Sequence, residues 1–459
     1  MTVPVEAPDA HPFVRYPHHT FVTSALPVMA SLVVEPFASL VDTAFVERLG
    51  ATSAAGLGAA TALLSGVLWI FNFLGIGTQT EVAQTMGAIG AGKAQRVGSV
   101  ASLGLLLAVM LGLGLTLITW PGVENFSVWM STDTTVQTDT QIYLKIRLLG
   151  VIPSLIIIAA FGVMRGLHDM KTPLWIAGGM SLTNIILDPI LIFGWRSIPA
   201  MGIAGAAWAT IVSQIVGMVW ALRVVAKQTP LGFDFDWQHA RRFFMIGRDL
   251  AVRTGLAQVF MLAATWTALQ ISIEAGAAHQ ALRQLWMFLA FLLDAFAVTA
   301  QSLIGYFLGA DRRSVARLAA RVACRWALGT GGCLLLMLLF FDHTLAALLV
   351  PPSAYSLFLT GLLICALTQP LNSLSFVTDG IHGGTGDYAY LRNVMIVATG
   401  TGVLLLTQID TSHTSAFTQV WLVMTVWIVI RSTFGVLRVW PGIGKAVLRL
   451  SESHRAAGL

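Results

Sequence analysis

Long apolar runs separated by short polar connections make up most of this chain. Each run has at least the roughly 20 mostly apolar residues that a helix needs to cross a bilayer. The runs are too long, and alternate too little in polarity, for the strands of a membrane β-barrel. They lie near residues 21–46, 57–84, 97–119, 138–164, 173–194, 203–226, 246–274, 279–308, 318–341, 354–382, 389–409 and 415–436. The pattern predicts an all-α membrane protein with 12 transmembrane helices.

A polar stretch separates the runs into two groups of six. The residues before the first run are polar and proline-rich, without the basic and apolar regions of a signal peptide. The predicted parts are a cytoplasmic N-terminal segment 1–20, a first lobe 21–226, a cytoplasmic linker 227–245, a second lobe 246–440 and a cytoplasmic tail 441–459.

Lysine and arginine are concentrated in every second connection, as in the cytoplasmic loops of membrane proteins. With the N-terminus inside, the inner connections contain Lys93, Arg165 and Arg392 among others, whereas the outer loops contain essentially Arg48 and Arg196. We therefore expect a multi-pass protein of the bacterial inner (plasma) membrane with both termini in the cytoplasm.

Composition narrows the functional class. Of the 459 residues, 56% are hydrophobic and 11% are charged, whereas about a quarter of the residues of soluble domains are charged. This excludes a soluble enzyme, a disordered chain and a nucleic-acid binder, and the net charge of +5 is loop charge. The lipid bilayer is the expected surrounding.

Signals of cofactor chemistry are missing from the sequence. Cys324, Cys333 and Cys365 lie in apolar runs without CxxC spacing, which argues against a disulfide framework or a zinc site. The chain has no GxxxxGK[ST] phosphate loop. We expect neither an enzyme nor a cofactor, with H⁺, or alternatively Na⁺, as a coupling ion.

The two groups of six runs resemble each other. A glycine-rich stretch containing Gln79 resembles one containing Gln301, and RGLHD at 165–169 resembles GGTGD at 383–387. Because each group has an even number of spans, a duplication would give two halves of the same orientation. Similar glycine-rich composition without duplication is the alternative.

Ionisable residues inside the first span are the main functional indication, because such groups are costly in a bilayer and normally face a cavity or a partner. Ser31, Glu35, Ser39 and Asp42 recur at helical spacing and share one stripe of the helix. Pro36 removes a backbone donor and is expected to kink this helix or permit gating.

The fifth and sixth spans carry matching polar groups. Asn184 and Asp188 lie one turn apart, Pro189 follows at once as a second kink or gating position, and Thr210 lies in the next span. Counted from the outer ends at about 1.5 Å per residue, Asp42, Asp188 and Thr210 lie at similar depth.

These depths predict a shared polar pocket in the outer part of the first lobe. Two carboxyl groups in one pocket of low dielectric constant cannot both ionise cheaply, which favours a proton-exchanging pair. A cationic ligand would compete with the proton. The alternative is that Asp42 and Asp188 only cap or brace kinked helices.

The second lobe has three notable charges, Arg253, Asp294 and Asp379. The simplest interpretation is an ion pair between Arg253 and one aspartate, which could also act as a latch. Asp294 or Asp379 could instead hold Na⁺, since hard cations take carboxylate oxygens.

Several of these segments together resemble one transporter family. ALPVMASLVVEPFASLVDTAFVERLG, MRGLHDMKTPL, NIILDP and GIAGAAWATIVSQ are similar to motifs of multidrug and toxic compound extrusion (MATE) transporters. GRDLAVR, LDAFA, DGIHGGTGD and LRN are similar to the DinF-type branch of that family. The resemblance covers nearly the whole chain.

The resemblance implies two pseudo-symmetric six-helix bundles, V-shaped around a central cleft, that alternate between inward-open and outward-open states. The helix 1 Asp of the family falls on Asp42, its helix 5 Asn and Asp fall on Asn184 and Asp188, and its helix 6 Thr falls on Thr210. A helix 1 Tyr of some members is replaced by Ala38, which departs from their proton network. A cation-binding helix 7 Glu of other branches has only Glu274, at the outer end, as a counterpart.

The leading functional hypothesis is a monomeric, H⁺-coupled antiporter that exports amphipathic, often cationic organic compounds or drugs, with Asp42 as the proton-exchanging residue. The alternatives are export of organic anions such as citrate, with Arg253 facing the substrate, coupling to Na⁺, or flipping of a lipid-linked precursor.

Overall fold

The computed structural model describes residues 8–89, 94–232 and 237–449, and in these ranges the chain is almost entirely helical. Two three-residue 3-10 turns, Trp120–Gly122 and Pro352–Ala354, complete the ordered elements. The helices are α1 (Pro12–Arg15), α2 (Pro17–Glu47), α3 (Ala51–Ile70), α4 (Phe73–Ile89), α5 (Ala94–Thr119), α6 (Val123–Met130), α7 (Thr134–Leu149), α8 (Val151–Gly166), α9 (Thr172–Phe193), α10 (Ile203–Gln228), α11 (Trp237–Ile271), α12 (Ile273–Gly309), α13 (Arg313–Phe340), α14 (Asp342–Leu349), α15 (Tyr355–Thr385), α16 (Tyr388–Leu406) and α17 (Ala416–Val439).

The predicted transmembrane helices are confirmed. Eleven helical segments of the described chain are long and apolar enough to cross a membrane, and the bent pair α7–α8 makes up to 12. The axes of α7 and α8 differ by 46°, and Gly150 lies between them as the end of one helix and the start of the next. Each apolar run of the sequence corresponds to one of these spans.

Two helices begin earlier than the apolar runs alone indicate. Helix α2 starts at Pro17, inside the segment that was expected to precede the first span. A proline suits this place because the first helical N–H needs no partner within the helix. Helix α11 starts at Trp237, inside the predicted linker 227–245.

The chain divides into two compact units. The first unit contains Ala30–Gly247, and the second unit combines Pro8–Met29 with the chain from Arg248 onward. The division assigns the start of α2 to the second unit and the start of α11 to the first, so both helices contribute to both units.

Helix α8 lies at the centre of the first unit, where it packs against α4, α5 and α10. Its close approach to α4 depends on glycine. A methyl group at Gly162 would lie 2.5 Å from the Gly75 carbonyl oxygen, and one at Gly166 would lie 2.8 Å from the Gln79 carbonyl oxygen. Small residues thus let the two backbones meet, as in other membrane helix pairs.

Helix α15 has the same place in the second unit, packed against α12, α13 and α17. A methyl group at Gly384 would lie 2.7 Å from the Gln301 carbonyl oxygen. Two N-terminal aromatic side chains, both fully buried, complete this unit. The Phe13 ring lies 5.8 Å from that of Phe307, and the Phe21 ring stacks on Phe296 at 5.9 Å.

Candidate functional site

Asn184 and Asp188 form a buried polar pair on α9. Asp188 is fully buried and Asn184 is 6% exposed. Nδ2 of Asn184 donates a hydrogen bond to Oδ1 of Asp188 over 3.3 Å. Pro189 follows inside the helix, and because proline has no N–H, the carbonyl group of Ile185 loses its partner in the helix.

Asp42 of α2 meets this pair. It is half-buried, and its carboxyl group lies in hydrogen-bonding contact with that of Asp188. Asp42 Oδ1 and Asp188 Oδ2 are buried and accept no hydrogen bond from an N–H or O–H donor among the described residues. The structure therefore brings together Asp42, Asn184 and Asp188 from two helices that are far apart in sequence.

Contact between two carboxyl groups has a direct chemical meaning. An ionised carboxylate only accepts hydrogen bonds, and a carboxyl group donates one only while it is protonated. The Asp42–Asp188 contact is therefore a hydrogen bond when one of the two groups holds a proton, and a repulsive contact when neither does. Helices α2 and α9 are joined through a group whose bonding depends on one proton.

Helix α7 brings a cation and a phenol to the same place. The Arg147 guanidinium acts electrostatically on Asp42, and its Nη1 donates to Oε1 of Gln214 over 3.1 Å. Tyr143, only 3% exposed, makes side-chain hydrogen bonds with Arg147 and Thr61. The site thus contains two carboxyl groups and one guanidinium.

Sequence reasoning missed Arg147 and Tyr143, although a usable signal was present. Arg147 lies in the predicted span 138–164, so the rule that selected Asp42, an ionisable residue inside a span, also applies to it. The pattern of apolar and polar residues does not predict the bend between α7 and α8 at Gly150.

Other predicted site residues bond their own helix, are exposed, or lie outside the described chain. The Thr210 hydroxyl donates to the backbone oxygen of Ala206 over 3.0 Å. Ser39 is exposed. Helix α2 continues through Pro36, and the side chain of Glu35 lies outside the described residues.

The second unit has a charged cluster of its own. One carboxylate oxygen, Oδ2 of Asp379 on α15, pairs with Arg253 of α11 and with Arg431 of α17, the latter at 2.7 Å. The Arg431 side chain is 5% exposed and its guanidinium lies over the Trp427 ring, 4.3 Å from the ring centre. The sequence predicts that Arg253 pairs with either Asp294 or Asp379, and in the structure it pairs with Asp379. Asp294 is half-buried on α12.

This cluster differs from a sodium site. Both arginines already bind the same oxygen of Asp379, and across the described ranges no three His, Cys, Asp or Glu side chains are grouped as metal ligands. Arg431 was missed by sequence reasoning, even though it lies in the predicted span 415–436. The predicted latch pair is thus a three-membered cluster with two cations.

Comparison with known proteins identifies the family. The MatE family model matches residues 27–190 and again 250–407. A single model that matches two segments of similar length in one chain agrees with the internal repeat seen in the sequence.

Two curated relatives match nearly the whole chain. Protein DETOXIFICATION 42 of Arabidopsis thaliana is 28% identical over 92% of this chain and 91% of its own length. DNA damage-inducible protein F of Escherichia coli strain K12 is 25% identical over 93% of this chain and 95% of its own length.

A solved structure shares the fold. The crystal structure of a mutant of VcmN, a MATE transporter from Vibrio cholerae, matches with a TM-score of 0.85 and 19% identity, covering 94% of this chain and 98% of that one. With its span-length helices and a family model that matches in both halves, the chain belongs to the multidrug and toxic compound extrusion (MATE) family of membrane transporters.

Proposed function

We propose that this protein exports amphipathic, often cationic organic compounds in exchange for protons. The observation that carries the proposal is the contact between the carboxyl groups of Asp42 and Asp188. Membership of a family of multidrug efflux transporters supports the substrate class.

The pair has two states that differ in what it attracts. With one proton it is a hydrogen-bonded link between α2 and α9, held further by the Asn184 amide. Without that proton two negative charges face each other in a buried place, and an organic cation that enters relieves their repulsion. Proton and substrate thus compete for the same two groups, as antiport requires.

Arg147 limits the negative charge of the pair. Its guanidinium acts on Asp42 and is held in place by Gln214 and Tyr143. Since an arginine side chain stays protonated, it offsets one of the two charges in every state. The state without the proton therefore carries a net charge of −1, which one monovalent organic cation neutralises.

The proposal is tested with purified protein in proteoliposomes loaded with a fluorescent cationic dye. A pH gradient and a Na⁺ gradient are imposed separately on wild type and on Asp42→Asn. We expect dye movement under the pH gradient that is lost in the variant. Asp133→Asn is the matched control, because Asp133 caps α7 through Thr135 and Val136 and Asn is an equally good capping residue.

Movement that follows Na⁺ and persists in Asp42→Asn would contradict the proposal and shift the coupling site away from the Asp42–Asp188 pair. A second candidate, export of organic anions, is favoured by the two arginines around Asp379. Citrate movement without dye movement would support that candidate.

A further inference from the structure

The cluster around Asp379 carries one positive charge more than it can compensate internally. Asp379 is acted on by Arg253 and Arg431, and the charged groups that act on Arg431 are Asp379 and Arg253. Two guanidinium groups therefore share one carboxylate. The side chains of Arg253 and Asp379 are each 18% exposed, and that of Arg431 is 5% exposed.

The neighbouring acids of the second unit are already paired with other arginines. Asp249 binds Arg248 at 2.8 Å and Arg392 at 2.6 Å. Asp387 binds Arg438 at 2.7 Å. Neither carboxylate belongs to the group of charges that acts on Arg431.

Chemistry limits how this surplus charge can be relieved. A guanidinium group does not lose its proton in a protein, and protonation of Asp379 would enlarge the surplus. Nε of Arg253 and Nε of Arg431 are buried without a hydrogen-bond partner among the described residues. The cluster therefore has two N–H donors without acceptors and one uncompensated positive charge. A bound anion would accept hydrogen bonds from the donors and neutralise the charge.

A small cavity lies at this place. Arg253, Asp379, Tyr390 and Arg431 line it together with apolar residues, and its free space is about that of one water molecule. A whole citrate-sized anion does not fit into this space, whereas a halide ion, or the carboxylate end of an organic anion, is of suitable size.

We propose that this cavity binds a small monovalent anion, for which chloride is the first ligand to test. The anion would contact the guanidinium groups of Arg253 and Arg431 and bring the net charge of the cluster to zero. The proposal does not depend on the transported substrate or on the coupling ion.

The test uses the full-length protein in detergent, exchanged into gluconate buffer. Its unfolding temperature is measured while chloride, bromide or formate replaces gluconate at constant ionic strength. For wild type we expect a saturable rise of a few degrees, since a ligand that binds only the folded state stabilises it. The rise should be lost in Arg253→Gln, which leaves the neutral pair Asp379–Arg431.

Arg248→Gln is the matched control. It makes the same change on the same helix, at a side chain that is 56% exposed, and Arg392 still pairs with Asp249. This variant should keep the full response to the anion. A response to chloride and bromide alone assigns the cavity to a halide, and an equal response to formate assigns the same site to a carboxylate.

Chloride-35 line broadening measures binding without unfolding. Wild type should broaden the chloride signal in a saturable way, and Arg253→Gln should remove that contribution. The proposal is overturned if the variant broadens the signal as much as wild type, or if the unfolding temperature of wild type is independent of anion identity.

Discussion

In the first unit two carboxyl groups face one guanidinium, whereas in the second unit two guanidinium groups face one carboxylate. The members are Asp42, Asp188 and Arg147 on one side and Arg253, Arg431 and Asp379 on the other. A surplus carboxylate is neutralised by a proton, but a surplus guanidinium is not. The two units therefore differ in which ion, a proton or an anion, can balance their buried charge.

The same units agree closely where their helices cross. Gly166 approaches the Gln79 carbonyl oxygen on α4, and Gly384 approaches the Gln301 carbonyl oxygen on α12. Along the repeat, 218 residues separate Gly166 from Gly384, and the same offset leads from Asp188 to Leu406. The crossing, where a methyl group would not fit, is alike in the two units, while the charged positions differ.

The largest expected effect concerns Asp379, the single carboxylate of the cluster in the second unit. Asp379→Asn leaves two buried guanidinium groups without a carboxylate, which we expect to lower the free energy of unfolding by about 3–5 kcal/mol. Asp42→Asn should cost much less, because an amide can still hydrogen-bond to Asp188. Unfolding in detergent measures both, with the exposed Asp410→Asn as control.

Adding Arg253→Gln to Asp379→Asn removes one of the two charges and should restore part of the stability. Equal losses for Asp379→Asn and Asp42→Asn would show that the two clusters do not differ in the way described.

The second effect tests the shared crossing. Gly166→Ala and Gly384→Ala should each lower the free energy of unfolding by about 1–3 kcal/mol, because a methyl group has no room there. Gly178→Ala and Gly400→Ala are matched controls in helices of the first and second units. A methyl group at either position would meet nothing within 4 Å among the described residues, so both should be neutral or stabilising.

A loss at only one of the two crossing glycines, in the same unfolding assay, would break the equivalence of α8 and α15.

A smaller effect is expected at Asn184. Asn184→Ala removes one hydrogen bond to Asp188, worth about 1 kcal/mol, so dye export driven by a pH gradient should fall roughly five-fold without being lost. Initial rates in proteoliposomes measure this. Thr210→Val is the comparison, because the Thr210 hydroxyl bonds its own helix, and an equal fall there would contradict the assignment.

The smallest effect lies outside both clusters. Asp133 accepts hydrogen bonds from the backbone of Thr135 and Val136 at the start of α7, and hydrogen bonds from Thr135 hold the pKa of Asp133 below its ordinary value of 3.8. A lowered pKa means that the ionised form stabilises the fold above about pH 4, and that this contribution is lost as the pH falls further.

Asp133→Ala should therefore lower the unfolding temperature slightly at pH 7 and by less at pH 3. A difference that grows as the pH falls would contradict this sign.

The spans and the Asp42–Asp188 pair could be predicted because both depend on position along one axis. Apolar length fixes the spans, and equal depth with one-turn spacing placed Asp42, Asn184 and Asp188 together. The depth of a residue in the membrane does not determine the direction of its side chain. Thr210 has a similar predicted depth, but its hydroxyl donates to the backbone of its own helix. Nor does it reveal that Arg431, on the last span, joins Arg253 at Asp379.

The N-terminal aromatic side chains have a consequence for synthesis. Phe13 packs on Phe307, which the ribosome adds 294 residues later. At about 5–20 residues per second, Phe13 waits roughly 15–60 s for its partner, and Phe21 waits almost as long for Phe296. The first unit finds its own partners earlier, so the second unit, which needs both the beginning and the end of the chain, is the last to be completed.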